Sequence, residues 1–235
     1  MIVNILPGTF GGPLRNGDLI GVANVIEHLR KFTPGLKFYL DPKAIHSEKY
    51  VQEFYKFLLE TTEYFSDKPN TQNETLKWQR VNLWDFRDIC GDLVKIPNTT
   101  PMEKKIVVFP LTDAPYNTYR NWPMDVVRKV FDRFDSLEYK DYKKVICHKD
   151  DSFRRNGWHN STNFMDNIHH IMSAEVFCGG DTGTSHFAFA LDRGPKDLIY
   201  YNSSRALIHT LPFYLMKGKG TFETYWLDFE GTKWN

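Results

Sequence analysis

Cysteine is scarce in this sequence. Its three cysteines, Cys90, Cys147 and Cys178, are odd in number and widely spaced. They form neither a disulfide framework nor a CxxC metal site, which favours a reducing compartment. Long apolar runs are missing too: no window reaches the roughly 18 apolar residues of a membrane span. The opening Met1-Ile2-Val3-Asn4-Ile5-Leu6-Pro7-Gly8 has no basic stretch ahead of an apolar one. The expectation is a cytoplasmic chain with no transmembrane segment and no export signal. A surplus of one charge is also lacking, with 30 Lys and Arg against 29 Asp and Glu. The balance holds by halves, 12 basic and 12 acidic residues in 1–100 against 18 and 17 in 101–235. Proteins whose main partner is a phosphate backbone usually carry a basic excess, because released counterions supply most of that affinity. Strong nonspecific nucleic-acid binding is therefore not indicated. The densest basic cluster, Lys143, Lys144, His148, Lys149, Arg154 and Arg155, reads first as a solvated face.

Several motifs are absent as well. No G-x-G-x-x-G follows a strand and no G-x-x-x-x-G-K-[ST] occurs, which removes support for a dinucleotide cofactor or a P-loop. His159, His169 and His170 lie near His148 in sequence, but no H-E-x-x-H or carboxylate spacing completes a metal site. No cofactor and no metal are expected.

What is present is an ordinary globular composition, 41% apolar and 25% charged, with a high aromatic share of 15%. The apolar periodicity alternates between two patterns. Ile2–Leu6 reads as a strand that empties into a loop holding Gly8, Gly11, Gly12 and Gly17, followed by helical spacing from Leu19 to Lys31. Leu36–Leu40 is the next strand, and 47–65 an amphipathic helix. The stretch from Trp78 to Lys95 mixes signals and supports no assignment, and Asn98-Thr99-Thr100-Pro101 reads as a linker. Beyond it, strands at 105–110, 144–147, 175–178 and 197–201 alternate with helices at 124–134, 163–173 and 185–191. Such alternation builds parallel sheets from βαβ crossovers, so the fold class is α/β. A first domain over 1–100 and a second over 101–235 are expected.

Chemistry concentrates where a strand meets a helix. In Cys178-Gly179-Gly180-Asp181-Thr182-Gly183-Thr184-Ser185-His186 a buried strand runs through small residues into a helix start. Free N–H groups and the helix dipole there favour an anion. Gly179, Gly180 and Gly183 would let a ligand approach the backbone, and Asp181 would either cap the helix or receive a sugar or ribose hydroxyl. His186, in the first helical turn, would donate to a diphosphate or simply pack. A capped helix without any ligand is the plain alternative.

The run from Asp181 to Arg193 resembles the D-[ST]-G-x-x-H-x-[AT]-A-A-L segment of glycosyltransferase family 9, the lipopolysaccharide heptosyltransferases. Phe109-Pro110-Leu111-Thr112 and Arg120-Asn121-Trp122-Pro123 are similar to that family's strand, phosphate-contacting loop and K-x-W-P motif, with Arg120 in place of lysine. Arginine keeps the charge and adds a planar fork for phosphate oxygens. Asn16-Gly17-Asp18-Leu19 resembles the family's G-D-[VL], and Phe32-Thr33-Pro34 its F-P. Without the family, Asp18 is a good N-cap and Trp122 a core aromatic. The resemblance implies a GT-B-like fold of two Rossmann-like parallel-sheet domains with an interdomain cleft, in a shortened, phage-like member.

The implied activity is metal-independent, inverting transfer of a sugar from a nucleoside-diphosphate sugar to an acceptor hydroxyl. Asp18 would be the general base, and Thr112, Thr118, Arg120, Asp181, Thr182, Gly183, Thr184 and His186 would hold the donor. The acceptor would be a lipopolysaccharide or other glycan, or a hydroxymethylated base of duplex DNA, for which the basic cluster and the Asn/Lys/Tyr/Phe-rich composition speak. A noncatalytic nucleotide-sugar-binding module, with Asp18 only a cap, is the alternative. The oligomeric state is not legible.

Overall fold

The computed structural model describes residues 1–71, 94–110, 121–148, 153–180, 182–203 and 221–227, with 202–203 and 221–227 described by backbone alone. The chain divides into two compact units, Met1–Pro97 with Ala190–Asp192, and Asn98–Phe189 with the chain from Arg193 onward.

In the first unit, β1 (Ile2–Ile5) pairs in parallel with β2 (Lys37–Leu40), Ile2 opposite Lys37 and Ile5 opposite Leu40. Both strands alternate, burying Val3, Ile5, Phe38 and Leu40, as a strand with one covered face should. Phe38 extends the ladder by giving its N–H to Tyr64 O and taking that of Ser66, both at 2.9 Å. Helix α1 (Asn16–Arg30) begins three residues before the periodicity predicts, and buries Leu19, Ile20, Val22, Ala23, Val25 and Ile26. Helix α2 (Lys49–Thr61) buries Val51, Phe54 and Leu58. The Thr61 and Thr62 hydroxyls bond back to the carbonyls of Phe57 and Leu58, both at 2.7 Å, where the helix stops. Among its described residues this unit shows a two-stranded parallel sheet, and the Rossmann-like expectation is carried by the second.

The second unit holds a six-stranded sheet in the order β5-β4-β3-β6-β7-β8, every neighbouring pair parallel. The strands are β3 (Glu103–Phe109), β4 (Lys143–Cys147), β5 (His159–Ser161), β6 (Ala174–Gly179), β7 (Asp197–Ser203) and β8 (Thr221–Leu227). Connecting helices are α3 (Met124–Phe134), α4 (Phe164–Ser173) and α5 (Gly183–Ala190). The chain runs outward from β3 through β4 to β5, then returns to pair β6 on the other side of β3 before continuing to β7. Its central strands are buried on both faces, hence the unbroken Ile106-Val107-Val108-Phe109. Helix α3 covers one face, its Val126, Val127, Val130, Phe131 and Phe134 clustering with Ile106, Val108, Ile146, Val176, Cys178, Ile199 and Tyr201. On the other face Phe109 and Phe177 stack obliquely at 5.8 Å, and Phe189 of α5 meets Tyr200 at 6.2 Å. Helix α4 is capped by Asn163, whose Oδ1 accepts from Met165 and Asp166.

Two elements escape the sequence patterns. Three-residue β5 is too short for any periodicity, and β8 lies beyond 197–201, the last strand the sequence assigns. Asn98, expected in a linker, is 2% exposed. Its Nδ2 donates to Met172 O at 2.7 Å and Arg193 O at 2.6 Å, and its Oδ1 accepts from Thr100. One side-chain amide thus ties three segments of the unit.

Three residues of the basic cluster are paired with carboxylates, and Lys149 lies outside the described residues. Lys143 pairs with Glu103 at 3.0 Å, Lys144 with Asp135 at 3.4 Å, and Arg155 with Asp132 and Asp135 at 2.9 and 2.8 Å. Asp135 also accepts from Trp158 Nε1 at 2.9 Å, and the Trp158 ring stands edge-on to Phe131 at 4.8 Å. The segment between β4 and β5 is thereby pinned to the end of α3. Burial pushes the Asp135 carboxyl up, but the donors Trp158, Arg155 and Lys144 outweigh it and leave the group below its ordinary range. Among the described residues no helix is long and apolar enough to cross a membrane.

Two outcomes follow from this packing. A carboxylate with a depressed folded-state pKa stabilises above the unfolded value and loses that contribution as pH falls through the folded one. Asp135→Asn should therefore cost about 1–2 kcal/mol at pH 7, with the gap to wild type closing as pH falls below the ordinary carboxylate range, read by urea denaturation. At Gly179, an added Cβ would sit 2.7 and 2.8 Å from Phe177 ring carbons and 2.9 Å from Ser185 Oγ. Gly179→Ala should destabilise by about 1–3 kcal/mol in the same measurement, as overpacking does.

Candidate functional site

A parallel sheet whose strand order reverses leaves a crevice outside the carboxyl ends of the two strands where the reversal occurs. Here those strands are β3 and β6, paired with Val107 opposite Phe177 and Phe109 opposite Gly179. The segment after β3 leaves at Pro110 and is closed again by Trp122, whose N–H donates to Pro110 O at 3.0 Å. Thr112, Thr118 and Arg120 belong to residues 111–120 and lie outside the described residues, as does Asp181.

The segment after β6 is described on both sides of Asp181. Thr182 stands just before α5, and its Oγ1 accepts from Ser185 N–H at 3.4 Å while its carbonyl accepts from Ser185 and His186 at 3.1 and 3.3 Å. The position directly preceding the helix, and with it the capping bond, falls to Thr182. Its hydroxyl also lies 2.7 Å from Thr184 Oγ1. Ser185, which the sequence reading passed over, donates its buried hydroxyl to Gly180 O at 2.5 Å and so closes the loop on itself. The N–H groups of Gly183 and Thr184 have no acceptor among the described residues, as first-turn donors of a helix commonly do not. His186 is 5% and Thr184 6% exposed. Gly179, expected to admit a ligand, instead makes room for Phe177 and Ser185; Gly180 and Gly183 remain as points of close approach.

Trp122 is buried edge-on against Tyr201 at 4.8 Å, in the α3 face of the core. Its core role stands, and Pro123 directly precedes α3.

In the first unit, Asp18 is the third residue of α1 rather than its cap. Its carboxylate accepts the Arg15 N–H at 2.9 Å, reaching back over the turn. Beyond Arg15 lies a polar cluster with no motif to announce it. Arg15 Nη1 pairs with Glu48 Oε2 at 3.1 Å and reaches Tyr50 Oη at 3.4 Å, and Nη2 stands 2.9 Å from His46 Nε2. The Tyr50 hydroxyl donates to the same Glu48 oxygen at 2.5 Å, and His46 Nδ1 lies 3.4 Å from it. The Tyr50 hydrogen bond, against the opposing effect of burial and aided by Arg15 and His46, holds the Glu48 carboxyl below its usual range. The only signal that could have found this cluster is an arginine in an N-cap position.

The remaining titratable groups carry less. His159 and His170 approach ring to ring at 5.6 Å, and burial, then Lys105 and His159, press the His170 pKa down. Burial pushes the Cys147 thiol well up, which keeps it protonated and inert. Among the described residues no group of three His, Cys, Asp or Glu could hold a metal ion.

No family model matches the chain, and no curated protein matches it. Among solved structures it is similar to the E. coli heptosyltransferase WaaC with ADP, at 12% identity over 86% of this chain and 87% of that one, TM-score 0.45. A glycosyl transferase family 9 protein from Veillonella parvula is 11% identical over 96% and 85% of the two chains, TM-score 0.48. The E. coli ADP-heptose lipopolysaccharide heptosyltransferase II is 13% identical over 95% and 93%, TM-score 0.46. The chain thus has a structural match to family 9 heptosyltransferases over most of its length, at low sequence identity.

Proposed function

We propose that this protein is a GT-B-like glycosyltransferase that moves a sugar, with inversion and without a metal, from a nucleoside-diphosphate sugar to an acceptor hydroxyl. One observation carries the reading. The two segments bearing every donor-side residue singled out from sequence, 111–120 and 181–186, follow the two adjacent strands at which the sheet order reverses. That is where open α/β sheets bind ligands. Gly183 and Thr184 at the start of α5 offer N–H groups and a helix dipole to a diphosphate, Thr182 lends its hydroxyl beside them, and Arg120 supplies a charged fork.

The roles follow from the reaction's charge flow. As the bond from the sugar to the diphosphate breaks, negative charge grows on the departing phosphate, and fixed N–H donors with Arg120 stabilise it. Asp18 takes the proton of the attacking hydroxyl. The acceptor in this reading is a glycan hydroxyl. Lys143, Lys144 and Arg155, three of the five Lys and Arg that spoke for duplex DNA, are paired with Glu103, Asp132 and Asp135. A second reading, the noncatalytic sugar-nucleotide module, is favoured by one contact: the Asp18 carboxylate already serves α1 by holding Arg15 N–H.

The Asp18 substitutions separate the two readings. Asparagine keeps an acceptor for Arg15 N–H but cannot take a proton, whereas alanine removes both functions. Asp18→Asn should lower transfer by about 10²–10⁴-fold with nucleotide binding within a few fold and an unchanged melting temperature. Activity retained in Asp18→Asn would support the module. On the donor side, a panel of nucleoside diphosphates should raise the melting temperature of wild type. Arg120→Ala should weaken that binding by about 10–100-fold, the worth of a charge-assisted contact; binding unaffected by this change would remove Arg120 from the site.

A further inference from the structure

The N-cap of α1 is occupied by a residue unsuited to the task. Helices prefer Ser, Thr, Asp or Asn there because a short side-chain oxygen accepts a first-turn N–H, and replacing such a residue costs about 1 kcal/mol. Arg15 has the extended backbone of a cap, φ −104° and ψ 179°, but its guanidinium has only donors. Its side chain turns instead to the segment ahead of α2. Leu14 and Ile45 form a parallel bridge there, with Leu14 N–H on Ala44 O at 2.8 Å and His46 N–H on Leu14 O at 2.9 Å. The two loops following β1 and β2 are therefore laced by backbone first, and by Arg15 second.

Arg15 Nη2 is a donor facing His46 Nε2 at 2.9 Å. On the other side of the ring the Glu48 N–H donates to His46 Nδ1 at 3.4 Å, and Glu48 Oε2 lies 3.4 Å from the same nitrogen. Glu48 Oε2 collects Arg15, Tyr50 and His46 on one oxygen. An exposed Arg–Glu pair contributes little by itself. Several donors converging on one carboxylate restrict the geometry more than any pair does. The groups facing one another come from the N-terminal end of α1, with Arg15 and Asp18, and from the segment leading into α2, with His46, Glu48 and Tyr50.

We propose that Glu48 is a positioning residue for Asp18: by gathering Arg15, Tyr50 and His46 it fixes the Arg15 backbone, whose N–H orients the Asp18 carboxylate. This rests on the reading of Asp18 as the base. Glu48 touches no substrate in this scheme and acts only through Arg15.

The Arg15 amide reports the link directly, whether or not a transfer assay exists. In the full ¹⁵N-labelled chain, its proton shift should titrate with the Asp18 carboxyl in wild type and lose that titration in Asp18→Asn. In Glu48→Gln, hydrogen-exchange protection of the Arg15 amide should fall about tenfold or more, while the amides of Phe54 and Leu58 in α2 keep theirs. In Tyr50→Phe, which removes one donor from Glu48, the loss should be smaller but present. Arg15 protection unchanged in Glu48→Gln overturns the proposal. Should that variant fail to fold, unchanged protection in Tyr50→Phe overturns it equally. Where transfer is measurable, Glu48→Gln should reduce kcat about tenfold with the donor KM within twofold; a change in donor KM alone counts against it. Absence of transfer in wild type would dispose of the glycosyltransferase reading while the amide data still decide the Glu48 link.

Discussion

The pairing of β3 with β6 is the constraint on which the second unit depends. Parallel strands cannot be joined by tight turns, so each connection must cross the sheet and return. The chain uses its first two crossovers to go outward to β5 and then comes back past β3. That single reversal leaves the carboxyl ends of β3 and β6 side by side. Every residue proposed for the donor side follows one of these two strands in the chain. Residues about seventy apart in sequence become neighbours because Phe109 stands opposite Gly179.

The small residues at the end of β6 have divided labour. Gly179 makes room for the Phe177 ring and the Ser185 hydroxyl, which is a packing requirement of the sheet and α5. Thr182 and Ser185 then fold the loop back on itself through Oγ contacts to Ser185 N–H and Gly180 O. A loop closed by its own hydroxyls keeps its backbone N–H groups in a set direction, which is what an anion site needs before any anion arrives. In the first unit the ordering device is different in kind. There, an arginine and a carboxylate, joined by the Tyr50 hydroxyl, tie the loops following β1 and β2.

Charge is used locally rather than as a field. Balanced composition ruled out a polycationic surface, and the pairs around Asp135 and Glu103 explain where the most suspicious basic residues went. Arg155 and Trp158 meet Asp135 beside Phe131, so the same contacts that consume the cations also cover the core. Nothing in the spacing of Lys143 to Arg155 distinguishes such a clamp from a binding patch, since the acidic partners come from α3, its C-terminal end and β3.

The sequence by itself determined the elements whose signal is periodic. Helix Met124–Phe134, the Ile-Val-Val-Phe strand and the strand-to-helix step at 179–183 were all legible, because burial on one stripe or on both faces writes itself into neighbouring residues. Short β5 and the capping by Thr182 were not, since three residues carry no period and two adjacent polar residues cap equally well by propensity. Only the tertiary structure decided the strand order, the buried clamp at Asn98 and the partners of Arg15. Each of these depends on contacts between residues tens of positions apart, and a long-range hydrogen bond leaves no repeating mark along the chain.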